Sequence, residues 1–213
     1  APPFTTSTIQ QEASRKLNFT VKKTMQIAQQ LYEGLELGKE GATGLITYMR
    51  TDSTRVSDGA QAAAREYIAE AVGSEYVPEK PPFYKKSPRA QEAHEAIRPT
   101  EITRSPDQIK DHLSRDQYRL YKLIWERFLA SQMKPALLEI TTIEIQGNDY
   151  VFRASGSVIK FPGFMRVYTE AKEDESLLPS VKEGNTLDLT KFEPKQHFTQ
   201  PPARYTEASL VKS

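Results

Sequence analysis

The chain has 213 residues, enough for one large or two small domains with cores of their own, and a net charge of only +1. That is far from the basic balance of a protein that holds nucleic acid by charge alone. Up to Lys134 there are 20 basic and 17 acidic residues, against 9 and 11 after it, so any nucleic-acid surface is local and falls in the first part. The absence of cysteine excludes disulfides, cysteine metal sites and thiol catalysis, and no apolar run approaches membrane-spanning length.

In chain order, Ser7 is placed to cap a helix to about Leu17, and Thr20 a second one in which Val21, Met25, Ala28 and Leu31 keep helical spacing. The run Gly38-Lys39-Glu40-Gly41-Ala42-Thr43-Gly44 breaks that helix and leads into a predicted strand through Tyr48. Strand side chains alternate, so Ile46, Tyr48 and Arg50 share one side while Leu45, Thr47 and Met49 take the other. A phenol beside a guanidinium suits phosphate chemistry. Phenols are potential nucleophiles with an ordinary pKa of about 10, and a guanidinium is a permanent cation that holds phosphate oxygens in a fork. A half-buried packing tyrosine beside a solvated arginine is the structural alternative, and spacing alone leaves both open. Asp52, Ser53 and Thr54 read as a turn after the strand.

Ser57 caps the next predicted helix, rich in alanine and ending near Gly73, and Tyr76 to Pro88 reads as an extended loop. In that loop Phe83, Tyr84, Lys85 and Lys86 can either stack and pair with DNA or pack as a linker. A short helix is predicted from Ala90 to Ile97, stopped by Pro99. It would place Arg98 one turn after His94, where it can bind backbone phosphate or pair with Glu95. Ser105-Pro106-Asp107-Gln108 and Ser114-Arg115-Asp116-Gln117 are capping boxes, the second opening a long helix to about Met133 with Leu120, Tyr121, Ile124 and Phe128 on one stripe.

After Pro135, strands are predicted over Leu137 to Ile145 and Tyr150 to Ala154, joined by a turn at Gln146-Gly147-Asn148-Asp149. Further candidates are Val158 to Phe161, Phe164 to Tyr168 and Thr186 to Thr190. Glu173-Asp174-Glu175 reads as a solvated turn rather than a metal site. Thr206 caps a last helix start.

Four separated strings are similar to one family, in family order. They are Pro3-Phe4-Thr5-Thr6-Ser7-Thr8-Ile9-Gln10, Gly44-Leu45-Ile46-Thr47-Tyr48-Met49-Arg50-Thr51-Asp52-Ser53-Thr54, Gln91-Glu92-Ala93-His94-Glu95-Ala96-Ile97-Arg98-Pro99-Thr100, and the closing stretch from Gln196 to Lys212. All resemble the bacterial type IA DNA topoisomerases. The resemblance implies an α+β fold. A mainly helical, winged-helix-like (CAP-like) domain over residues 8–134 would carry the catalytic tyrosine. Residues 1–7 and 135–205 would form an antiparallel β-rich arch, or gate, and 206–213 the start of a further helix.

The implied function is relaxation of negatively supercoiled DNA by transient single-strand cleavage, through a 5′-phosphotyrosine, and strand passage. Tyr48 matches the nucleophile and Arg50 the arginine on the scissile phosphate. His94 and Arg98 match DNA- or phosphate-binding positions, whereas His112 and His197 match none. Resealing needs no ATP, since one phosphodiester is exchanged for another. The implied Mg2+ would be held by an acidic domain outside this chain, so the chain alone is expected to be inactive. Implied partners are single-stranded or negatively supercoiled DNA and the remaining domains of the same polypeptide, with no membrane and a cytoplasmic, nucleoid-associated setting. The alternatives are a winged-helix DNA-binding module without chemistry and a structural or interaction domain.

Overall fold

A computed structural model describes residues 1–38, 41–84, 94–169 and 177–211. Lys85, Lys86, Gln91, Glu92, the acidic run Glu173-Asp174-Glu175 and the first residues of the helix predicted from Ala90 lie outside the described residues. Those described form an α-and-β fold of five α-helices and two small antiparallel sheets.

Cap chemistry sets most of the helix starts. Helix α1 (Thr6–Leu17) begins one step before the predicted cap, because Thr5 and Thr8 exchange side-chain and backbone hydrogen bonds in a closed capping box. Helix α2 (Val21–Glu33) starts at Thr20 as predicted, with the Thr20 hydroxyl accepting from the Lys23 N–H. Strands β1 (Leu35–Glu36) and β2 (Ala42–Thr43) then pair as a minimal hairpin. Helix α3 (Asp58–Ala71) follows Ser57, which makes no side-chain cap bond.

The Ser105 box forms only in half, with the Ser105 N–H donating to Gln108 Oε1 at 2.9 Å. The chain there runs through turns and a 3-10 turn at Lys110–His112 instead of a helix. The Ser114 box does open α4 (Arg115–Ser131). That helix is the central post of the fold: Leu120, Tyr121, Ile124 and Phe128 are buried as their stripe predicts, joined by Leu123, Trp125 and Leu129.

Strands β3 (Leu137–Gly147) and β4 (Tyr150–Phe161) form one antiparallel hairpin turning at Asn148, whose φ is 52°. The separate strand predicted at Val158 is the end of β4. The strand predicted at Phe164 is a 3-10 turn (Gly163–Arg166), where Gly163 at φ 50° lies so close to the Pro135 carbonyl that a side chain would not fit. Residues 186–190 carry no regular structure. A short helix α5 (Glu207–Leu210) is capped by Thr206.

The chain divides into two units. The first comprises Ala1–Ala136, Pro162–Ala171 and Tyr205–Ser213, and the second Leu137–Phe161 and Lys172–Arg204. Residues 1–7, grouped by the resemblance with the arch, belong to the helical unit: Phe4 is fully buried beneath the Arg127 guanidinium and bridges to Ile97. The core of that unit holds Phe4, Ile9, Leu31, Leu45, Ile46, Met49, Ile68, Ile97, Leu120, Tyr121, Phe128 and Tyr168.

Candidate active site

Tyr48 does not sit on a regular strand. Its segment makes one isolated bridge, Ile46 to Pro99, and the 94–97 stretch predicted as the end of a helix has no regular structure beyond the bridge of Ile97 to Phe4. Each segment finds its hydrogen bonds in the other. Thr47 N–H donates to the Arg98 carbonyl (2.9 Å), Thr100 N–H to the Leu45 carbonyl (3.0 Å), and the Thr47 hydroxyl donates to the Ala96 carbonyl (2.7 Å) while accepting from Arg98 N–H (3.0 Å). With Ala96 N–H bonded to the Arg55 carbonyl and Ile97 N–H to the Phe4 carbonyl, the backbone needs no helical turn to satisfy its donors.

Helix α2 holds the same segment from the other side. Leu45 N–H donates to the Leu31 carbonyl at 2.7 Å, and a Cβ on Gly44 would come 2.8 Å from the Tyr32 carbonyl oxygen, so only glycine lets the chain pass this close. Helix α1 completes the frame. Thr6 N–H donates to the Thr51 carbonyl (2.8 Å), and the Thr6 hydroxyl donates to the Met49 carbonyl (2.8 Å) while accepting from Thr51 N–H (2.8 Å).

These staples bury Leu45, Ile46 and Met49 and leave Tyr48, at 42% exposure, and Arg50 in solvent. Ile46 therefore joins the core instead of sharing the outer side with Tyr48 and Arg50, as strand alternation predicts. Among the described residues neither the Tyr48 phenol nor the Arg50 guanidinium has a hydrogen bond or ion pair. The Tyr48 ring has two aromatic neighbours: Tyr32 meets it edge-on at 5.3 Å and 66°, and His94 lies 6.0 Å away at 58°.

Beside His94 opens a cleft of about 460 Å³ lined by Thr6, Ser7, Gln10, Arg50, Thr51, Asp52 and His94. The first turn of α1 faces it without an acidic residue of its own, and helix N-termini favour anions. With Arg50 and an imidazole also lining it, the cleft suits a phosphate, and Asp52 is its one carboxylate among the described residues. Tyr48 itself is not a lining residue; its ring lies 6.0 Å from that of His94, which is one.

Arg98 is engaged elsewhere. Its guanidinium donates to Glu95 Oε2 at 2.5 and 3.0 Å, to the Pro99 carbonyl at 2.9 Å and to the Ser57 hydroxyl at 3.4 Å, and only 13% of the side chain is exposed. Of its two sequence-level roles, pairing with Glu95 is the one the geometry forms. Tyr84 likewise packs, donating to the Ser131 carbonyl at 2.7 Å, with burial pushing its phenol upward in pKa. Phe83 is 83% exposed. Thr6, Ser7, Gln10 and Tyr32 are the site residues that linear spacing misses. The string around Thr6 is the sequence signal for the first three, though nothing in it links α1 to residue 50, and Tyr32 lies outside every string.

Among the described residues no group of three or more histidine, aspartate or glutamate side chains is placed to hold a metal ion, and Asp52 with His94 falls short of such a set. No described helix is long and apolar enough to cross a membrane.

Comparison with known proteins places this geometry in a family. The solved structure of full-length topoisomerase I from Thermotoga maritima is 42% identical and matches with a TM-score of 0.80, over 99% of this chain and 34% of its own. The chain thus spans about a third of that relative's length. A family model described as DNA topoisomerase matches residues 1–213, and the chain belongs to that family, the bacterial DNA topoisomerases of type IA.

Proposed function

We propose that this chain is the cleavage-bearing part of a larger enzyme that relaxes negatively supercoiled DNA by cutting one strand, passing another through the gap and resealing. The observation that carries this reading is the exposed Tyr48, its ring 6.0 Å from that of His94, which lines a cleft together with an Arg50 that has no partner among the described residues.

In the cutting step the Tyr48 oxygen attacks the phosphorus of a backbone phosphodiester. A phosphorus–oxygen bond to the tyrosine forms while the bond to the 3′ oxygen breaks; the phenolic proton is lost and the departing 3′ oxygen gains one. The product is a 5′-phosphotyrosine and a free 3′-hydroxyl, and the reverse exchange reseals the strand without ATP. Arg50 holds the non-bridging oxygens, on which charge builds as the phosphorus gains its fifth ligand. The N-terminal turn of α1 adds backbone dipoles to the same anion, and His94 donates to a phosphate oxygen or passes a proton at the leaving oxygen. Arg98 acts at a distance, keeping the 94–98 chain in place through Glu95.

The helical unit serves as a winged-helix-like module and the hairpin unit as part of an arch. Any magnesium ion would be bound by residues outside this chain. The chain alone lacks strand-cleaving activity, and DNA binding by it is weak, since a near-neutral surface makes few phosphate contacts.

The test is a denaturant-resistant DNA adduct in the full-length protein, compared with Tyr48→Phe. The adduct disappears in the variant if Tyr48 is the nucleophile. An adduct of unchanged yield would move the nucleophile to another side chain, whereas no adduct in either protein would favour the second reading, a DNA-binding module without chemistry.

A further inference from the structure

The exposure of Tyr48 raises a problem that its own segment does not solve. Thr47 is stapled to the 96–98 chain, Met49 is buried and its carbonyl is held by Thr6, so the backbone at residue 48 is fixed. The side chain is not. At 42% exposure, and with no hydrogen bond to the phenol among the described residues, the ring is free to choose among rotamers unless neighbouring rings select one. An attacking oxygen must sit within about 3–3.5 Å of phosphorus and in line with the leaving group, so a wandering ring wastes most of its encounters.

From this placement we infer that Tyr32 is a positioning residue that holds the Tyr48 phenol toward the His94 edge of the cleft. The inference rests on the reading of Tyr48 as the nucleophile. Tyr32 lies in the last turn of α2, itself anchored by the buried Ile27, Ala28 and Leu31. The backbone approach of Gly44 to the Tyr32 carbonyl and the Leu45 to Leu31 hydrogen bond tie the two aromatic residues to one frame. The edge-on contact at 5.3 Å and 66° is an arrangement that ring quadrupoles favour, and it restricts the rotamers open to the Tyr48 ring, whose other aromatic neighbour, His94, lies 6.0 Å away. The contact needs the ring of residue 32, not its hydroxyl.

The experiment measures single-turnover cleavage of a saturating single-stranded oligonucleotide by the full-length protein, with affinity for the same oligonucleotide measured separately. Tyr32→Ala is expected to slow cleavage about 3- to 10-fold with affinity unchanged, the range that aromatic pair strengths convert to. Tyr32→Phe should restore most of the rate, whereas Tyr32→Leu, which keeps apolar bulk without a flat ring, should stay slow and serves if the alanine variant folds poorly. A wild-type rate in Tyr32→Ala, full rescue by leucine, or a loss confined to affinity would each overturn the assignment; the last would mark Tyr32 as a surface for DNA bases. Failure of the underlying reading looks different, because an adduct would then persist in Tyr48→Phe whatever residue 32 is.

Discussion

The helical unit and the hairpin unit solve the burial problem in opposite ways. In the first, helices from distant parts of the chain share one core, and α4 alone buries most of its length. In the second, β3 and β4 bury only Gly156 between them, while Ile140, Tyr150, Val151 and Phe152 stay exposed. Its order comes from the register of the ladder and from cross-strand pairs such as Arg153 with Glu144 and Lys160 with Glu139. The lesson is where a reactive group can be held. A phenol can stand in solvent with fixed direction only where both backbone neighbours are tied into a core, and among the described residues only the first unit has one. A lone two-stranded hairpin is marginal in water and offers no such frame.

The sharpest way to break this contrast is at Arg50. If the first unit holds a preorganised phosphate site, Arg50→Ala in the full-length protein should slow cleavage about 10²- to 10³-fold with folding unchanged. Arg50→Lys, which keeps charge but loses the fork, should fall between. A wild-type rate in the alanine variant would remove Arg50 from the site.

Stability tests the contrast next. Leu120→Ala, in the middle of the first core, should cost about 2–5 kcal/mol in chemical denaturation. Ile140→Ala, at 73% exposure on the hairpin, should change stability by about 0.5 kcal/mol or less. Equal costs at the two positions would contradict the picture of one buried core and one open hairpin.

The smallest effect concerns pH. Burial pushes the Glu12 carboxyl up, but hydrogen bonds from Arg15 and Tyr168 outweigh it, leaving the group below its ordinary pKa of 4.5. A carboxyl lowered in this way contributes stability that is complete above 4.5 and fades as the pH falls through the lower folded value. Glu12→Gln should therefore flatten the acid limb of the stability profile between about pH 5 and 3 and leave its slope above pH 6 unchanged. The same slope in both proteins at acid pH would show that Glu12 is not linked to folding.

What was legible in the sequence follows the same division. Helices α2 and α4 read correctly because their signals are local: Thr20 and Ser114 cap them, and apolar residues recur at helical spacing toward one core. The β3–β4 hairpin read correctly in its centre for the parallel reason, with the turn at Asn148 marking its tip. The site was less legible because its backbone is held by partners far along the chain. Alternation through Ile46, Tyr48 and Arg50 looked like a strand, yet the hydrogen bonds of that stretch go to separate segments around residues 6, 31 and 98, which no period announces. The chain at 94–97 has a composition that suits a helix, but the residue before Pro99 is biased away from helix, and Phe4 and Arg55 supply the carbonyls instead. The family strings carry Tyr48, Arg50 and His94 as site residues, while the fold alone brings Tyr32, Thr6 and Gln10 to them.

The most direct measurement is to trap the full-length protein on a single-stranded oligonucleotide, digest the adduct and locate the attached nucleotide by mass spectrometry. The account predicts a 5′-phosphate ester on the Tyr48 oxygen, in the peptide that also carries Arg50, with a free 3′-hydroxyl on the released strand. A nucleotide on any other side chain, or a phosphate left on the 3′ side of the cut, would contradict it.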